Sequence, residues 1–142
     1  LKNYFIKEEC KKAIDTNILV YAFQNDNLGL KNKSIDLFMN ENLVVSHFVL
    51  IEFIHIIHTI SKMDKRETLK LIIESLGIIR TNYCYMETYN LAYFIVKRYR
   101  ISLKDSIIIA DAILNDCSIL YSRDMQHNQI FEKKIRIINP FI

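Results

Sequence analysis

The chain has 142 residues, 51% of them hydrophobic, which suits one sizeable core, so residues 1–142 read as a single domain whose residues 1–12 lead into the first strand. With 2 Gly and 1 Pro, flexible linkers and Gly-rich phosphate loops are excluded, and a helix-rich fold with short connections is expected. A formal net charge of +3 is compatible with a polyanionic partner without singling one out.

The first predicted strand, Ala13 and Ile14, hands over at Asp15, Thr16 and Asn17 to an apolar helical turn or two over 18–23. A polar loop with Asn25, Asp26, Asn27 and Gly29 precedes an amphipathic helix over 30–39, with Ile35, Leu37, Phe38 and Met39 expected to face inward. Residues 43–46 (LVVS) form a second buried strand, and 48–60 an apolar helix in which Glu52 is the only acid. A carboxylate there is costly to bury unless it is paired or metal-bound. Asp64 and Glu67 have capping-box spacing at the start of a helix over 65–76, with Gly77 as its C-cap and Ile78–Ile79 as a third strand. An aromatic-rich helix over 86–99 carries Tyr89, Tyr93 and Phe94.

The next stretch organises the rest. Ser102 can cap a helix whose first turn holds Asp105, where the helix dipole favours an acid. The following run, IIIADAIL over 107–114, is apolar almost all round and predicts a buried helix. Residues 118–121 are a short buried strand that ends at Ser122, Arg123 and Asp124. A polar loop over 125–129 and a last strand over 135–138, closed by Asn139 and Pro140, complete an α/β alternation with a mostly parallel sheet.

Asp15, Glu52, Asp105 and Asp124 each lie at or just past the carboxyl end of a predicted strand, or in the first turns of the next helix. In a parallel sheet those ends face one crevice. Carboxylates crowded there raise one another's pKa unless a cation sits among them, and oxygen-only ligation suits Mg²⁺ or Mn²⁺. The chemistry that follows is phosphodiester hydrolysis. An aspartyl-nucleophile enzyme would want a second Asp two residues after Asp15, where Asn17 stands. A phospho-acceptor domain would want a late Lys, where only Arg136 is found.

The 3 cysteines, Cys10, Cys84 and Cys117, form no metal or disulfide pattern and read as reduced thiols in a cytoplasmic protein. No apolar run reads as a membrane span. The spacing of Glu52, His55 and His58 is half of a di-iron motif with no second copy, so the histidines are expected to be packed or interfacial. His127, in the polar loop after Asp124, could contact RNA, although that is not the favoured expectation. Tyr85, Tyr89 and Tyr93 are expected as core or dimer contacts rather than base-stacking platforms.

The segment from Ala13 to Ala22 (AIDTNILVYA) resembles the opening of PIN domains, and Val45 to Phe53 (VSHFVLIEF) resembles their second motif. Residues 99–141, with LYSRDMQH over 120–127 and INPF over 138–141, look like one bacterial, VapC-like PIN subfamily. The resemblance implies a three-layer α/β fold with a five-stranded, mostly parallel sheet between helices. It also implies a metal-dependent ribonuclease, the toxin of a toxin–antitoxin pair, with RNA as substrate, a small antitoxin as partner and a homodimeric state. Carried over by position, Asp15, Asp105 and Asp124 match metal-binding acids, Glu52 the acid that helps hold metal or orient water, and Asn17 and Ser122 groups that hydrogen-bond the carboxylates. The chain departs from the pattern at Lys104, where an aromatic is usual, at Ser106 for Ala, at Asn128 for Gly, and at Asp111 for a small apolar residue. Asp111 lies six residues, about 240°, round the helix from Asp105, so a salt bridge or interface role is expected of it. These departures keep a second reading open, a non-catalytic nucleic-acid-binding or scaffold module on the same fold.

Overall fold

The structure, a computed structural model, describes residues 10–76, 80–82 and 85–142. Its elements run β1 (Lys12–Ile14), α1 (Thr16–Phe23), α2 (Leu28–Asn40), β2 (Leu43–Ser46), α3 (His47–Ser61), α4 (Lys65–Leu76), β3 (Arg80–Asn82), α5 (Met86–Tyr99), α6 (Leu103–Leu114), β4 (Ile119–Tyr121), β5 (Ile130–Phe131) and β6 (Ile135–Ile138). The strand order is β3-β2-β1-β4-β6-β5. The first five in that order are parallel, and the two-residue β5 pairs antiparallel on the β6 edge. The expected five-stranded parallel sheet is therefore present, with a short edge strand added. The expected strand at Ile78–Ile79 and the C-cap at Gly77 lie outside the described residues, and the third strand is found at Arg80–Asn82.

β1 is central, with β2 on one side and β4 on the other. A strand covered on both faces reads as a continuous apolar run, and Ala13, Ile14 and all four residues of β2 are buried. β6, nearer the edge, alternates instead, with Arg136 exposed between buried Ile135 and Ile137. Residues Ser106 to Ile113 of α6 are buried without a break, as the uniformly apolar sequence predicts. α5 packs on α6, and Tyr99 at its end stacks edge-on against Phe131 with ring centroids 4.7 Å apart.

Local signals hold where they are explicit. Asp64 Oδ1 accepts from the backbone N–H groups of Arg66 (2.7 Å) and Glu67 (2.9 Å), and Glu67 Oε2 accepts from that of Asp64 at 3.2 Å, the reciprocal box expected from the spacing. Two inward assignments in α2 are corrected. Leu37 is buried, but Ile35 is 39% and Met39 76% exposed, because each lies two residues, about 200°, round the helix from Leu37 and so on the opposite face. Tyr85, Tyr89 and Tyr93 are exposed, which removes the core reading for them. Cys10 and Cys117 are free, and burial pushes the Cys117 thiol up to about 12.

Candidate functional site

The two neighbours of β1 lead away in opposite directions, which opens a crevice at the carboxyl tips of β1 and β4. The pairing of Ile14 with Tyr121 puts those tips level, and the Asp15 N–H donates to Tyr121 O at 2.8 Å. Asp15 is the N-cap of α1 and is only 2% exposed. One of its oxygens accepts from Thr16 N at 2.7 Å, the other from Ser122 Oγ at 2.8 Å. Ser122 is fully buried, and its Oγ also accepts from the N–H groups of Asp124 (3.3 Å) and Met125 (3.2 Å). One hydroxyl thus joins the tip of β1 to the loop after β4. Asn17 Nδ2 donates to Asp124 Oδ2 at 2.9 Å, while Asn17 Oδ1 is buried without a hydrogen-bond partner among the described residues. Asn17 and Ser122 therefore each hold a carboxylate oxygen.

Asp105 lies in the first turn of α6, whose cap Ser102 accepts from the Asp105 N–H at 3.1 Å. Glu52 reaches the same region from α3. Its Oε1 is 3.0 Å from Lys104 Nζ, and its Oε2 accepts from the Thr16 hydroxyl. Asp124 lines two adjoining clefts. One, about 280 Å³, also holds Ser102, Asp105, Gln126 and Gln129; the other, about 260 Å³, holds Thr16, Asn17, Tyr21, Glu52 and Lys104.

Burial pushes the Asp15 carboxyl above its ordinary range, and the charge of Asp105 adds to this; the hydrogen bonds from Ser122 and Thr16 and the charge of Lys104 pull the other way. Burial lowers the Lys104 ammonium, but the Glu52 hydrogen bond and the charges of Asp15, Glu52 and Asp105 outweigh it, so it is raised. Asp15, Glu52 and Asp105 therefore share one electrostatic neighbourhood around Lys104, and Asp124 joins it through the Asn17 hydrogen bond and the cleft it lines. Among the described residues, no three Asp, Glu, His or Cys side chains are grouped closely enough to hold a metal ion between them. The donors present still fit a hard divalent cation: they are all oxygen, one is a buried carboxylate whose charge is disfavoured, and an unpaired buried acceptor on Asn17 lies beside Asp124.

Sequence reasoning noted Lys104 only as a departure and did not see Thr16 as a partner of Glu52; a hydroxyl directly after the first acid was the available signal. Arg123 was also missed; its guanidinium donates at 2.9 Å to the hydroxyl of Tyr21, which lines the second cleft. His127 is a loop clamp, with Nδ1 accepting from the Asn139 N–H at 3.0 Å. Asp111 is buried, and Asn115 Nδ2 donates to its backbone O at 2.8 Å.

The family model described as "PIN domain" matches residues 12–132. A search of curated proteins gives no match. Among solved structures, a toxin–antitoxin complex from Klebsiella pneumoniae superposes with a TM-score of 0.68 at 17% identity, covering 91% of this chain and 97% of that one. VapC20 of Mycobacterium tuberculosis, described as a sarcin–ricin loop cleaving toxin, gives 0.64 at 14% identity over 80% of this chain and 89% of that one. FitAcB from Neisseria gonorrhoeae gives 0.63 at 14% identity over 92% and 98%. At these identities the likeness is one of fold.

Proposed function

The chain belongs to the PIN domain family, and from that premise we propose that it is a Mg²⁺- or Mn²⁺-dependent endoribonuclease, the toxin of a VapBC-type toxin–antitoxin pair. The observation that carries the reading is the buried Asp15 carboxylate, fixed by Ser122 and Thr16 and acted on by the charge of Asp105, at the crevice where Asn17 holds Asp124. In this reading Asp15, Asp105 and Asp124 hold the cation. Bound there, a divalent ion supplies acidification of water and neutralisation of phosphoryl oxygens.

The chain's own groups do the rest. Asn17 and Ser122 keep the carboxylate oxygens oriented, a role whose loss typically costs about 10–100-fold in metal affinity or activity. Glu52 orients the attacking water and takes its proton. The new bond joins water oxygen to phosphorus, the bond from phosphorus to O3′ breaks, and O3′ takes up a proton from solvent, giving a 5′-phosphate and a 3′-hydroxyl. Labelled RNA incubated with Mn²⁺ should be cut, EDTA should stop the cut, and Asp15→Asn should abolish it while the far-UV circular dichroism stays unchanged. A mutant as active as the wild type would refute the assignment.

A small antitoxin and a second copy of the chain belong to the same reading, in a cytoplasmic setting. Two uncovered apolar surfaces support it: the α5 face with Tyr85, Tyr89 and Tyr93, and the cleft between α3 and α4 lined by Ile54, His58 and Leu69. A chain that sediments as a monomer at micromolar concentration would remove the homodimer. No helix among the described residues is long and apolar enough to cross a membrane.

One observation favours the second reading, a non-catalytic nucleic-acid-binding or scaffold module. Both oxygens of Glu52 are already engaged, by Lys104 and Thr16. RNA retained uncut in the presence of Mn²⁺, with no thermal shift on adding the metal, would select that module instead.

A further inference from the structure

Lys104 sits where its own helix opposes it. It is the second residue of α6, at the end where the helix dipole repels a cation and favours an acid such as Asp105. Its ammonium is nevertheless turned to Glu52 at 3.0 Å and acts through space on Asp15 and Asp105. The acids, not the helix, hold it there. Glu52 in turn is fully engaged, with one oxygen on Lys104 and the other on the Thr16 hydroxyl. The lysine side chain is 44% exposed and its stem is flexible, so a path to solvent is open.

We propose that Lys104 is a tethered cation that occupies the Glu52 side of the acid cluster and competes with a divalent ion for it. This rests on the reading of the crevice as a metal site and adds a regulatory property to it. In the resting chain the ammonium neutralises the carboxylates and satisfies Glu52. Filling the crevice with a divalent ion places two cations against the same few oxygens, so the ammonium swings to solvent and Glu52 is freed. The two binding events are coupled, and the coupling weakens metal affinity by the same factor by which metal weakens the lysine's hold.

The test uses the full chain and reads metal binding rather than cleavage. Calorimetric titration with Mn²⁺ is compared for wild type, Lys104→Gln and Lys104→Arg. Lys104→Gln should bind Mn²⁺ about tenfold more tightly, an ordinary size for coupling between sites. Lys104→Arg, which keeps the charge, should behave as wild type. Equal or weaker affinity in Lys104→Gln overturns the competition; if the wild type also cuts RNA with Mn²⁺, the nuclease reading stands without it. Failure of both wild type and Lys104→Gln to take up Mn²⁺ overturns the metal site and the competition together. Tightening in Lys104→Gln and Lys104→Arg alike overturns a role for charge, because loss of the lysine's particular shape would then be the cause.

Discussion

Asp15 pairs an acid's charge with a place where charge is disfavoured. Burial is the largest cause of its raised pKa, and Asp105 adds to it against the Ser122 and Thr16 hydrogen bonds and the Lys104 charge. The sign for stability follows from linkage. A folded-state pKa above the unfolded one means the fold prefers the protonated acid, so this contribution is fully present below the ordinary carboxylate range and is lost as pH rises through the raised value. In EDTA-containing buffer, the urea midpoint of Asp15→Asn relative to wild type should therefore rise from pH 4 to pH 7. The change in the gap isolates the charge of Asp15, since the Asn carboxamide meets Thr16 and Ser122 the same way at every pH. A gap that stays flat across that range would show that the carboxylate is comfortable without a cation, and the main physical reason for placing one beside it would be gone.

At the scale of elements, the left-handed turn positions among the described residues are filled without glycine. Glu132 and Lys133, between β5 and β6, have φ of 51° and 55°, and Lys134 N donates back to Phe131 O at 2.9 Å. Two successive positive-φ residues are what a tight hairpin favours, at a cost for side chains that carry a Cβ. Glu132 is retained by other ties: both of its carboxylate oxygens accept from Arg98 Nη1 at 2.9 Å, and its backbone N–H donates to Tyr99 Oη at 3.0 Å. Lys133→Gly should therefore stabilise the fold by about 1 kcal/mol in urea denaturation, relief of one left-handed residue; no gain would mean that the turn carries no such strain. The same choice of residues explains why β5 was invisible in the sequence. A hairpin is recognised by Asn or Gly at its turn, and Glu-Lys gives no such sign. Where a signal is local and chemical it was legible, as in the Ser102 cap of α6 and the Asp64–Glu67 box of α4. The carboxylate partners Asn17 and Ser122 were legible through the resemblance. The ion pair of Lys104 with Glu52 was not, because it depends on how α3 and α6 approach each other and no spacing along the chain encodes that.

For the whole molecule, the sheet order is what turns scattered acids into a site. Alternating strands and helices announce a parallel sheet, but only the placement of β1 between β2 and β4 makes Ser122 meet Asp15 across 107 positions of sequence. A site assembled from β1, α3, α6 and the loop after β4 exists only in the folded state, so whatever binds it must stabilise the entire fold. Free ligand at 100 times its Kd adds about 2.7 kcal/mol, which for a chain of this length raises Tm by about 5–10 °C. Saturating Mn²⁺ should produce a rise of that order in a thermal melt of the wild type, EDTA should reverse it, and Asp15→Asn should show little of it. Ca²⁺ serves as the control for charge alone, since it accepts more oxygen ligands in looser geometry. A rise that is equal in Asp15→Asn would place the ion elsewhere on the surface, and the crevice between β1 and β4 would lose its claim to it even if RNA were still cut.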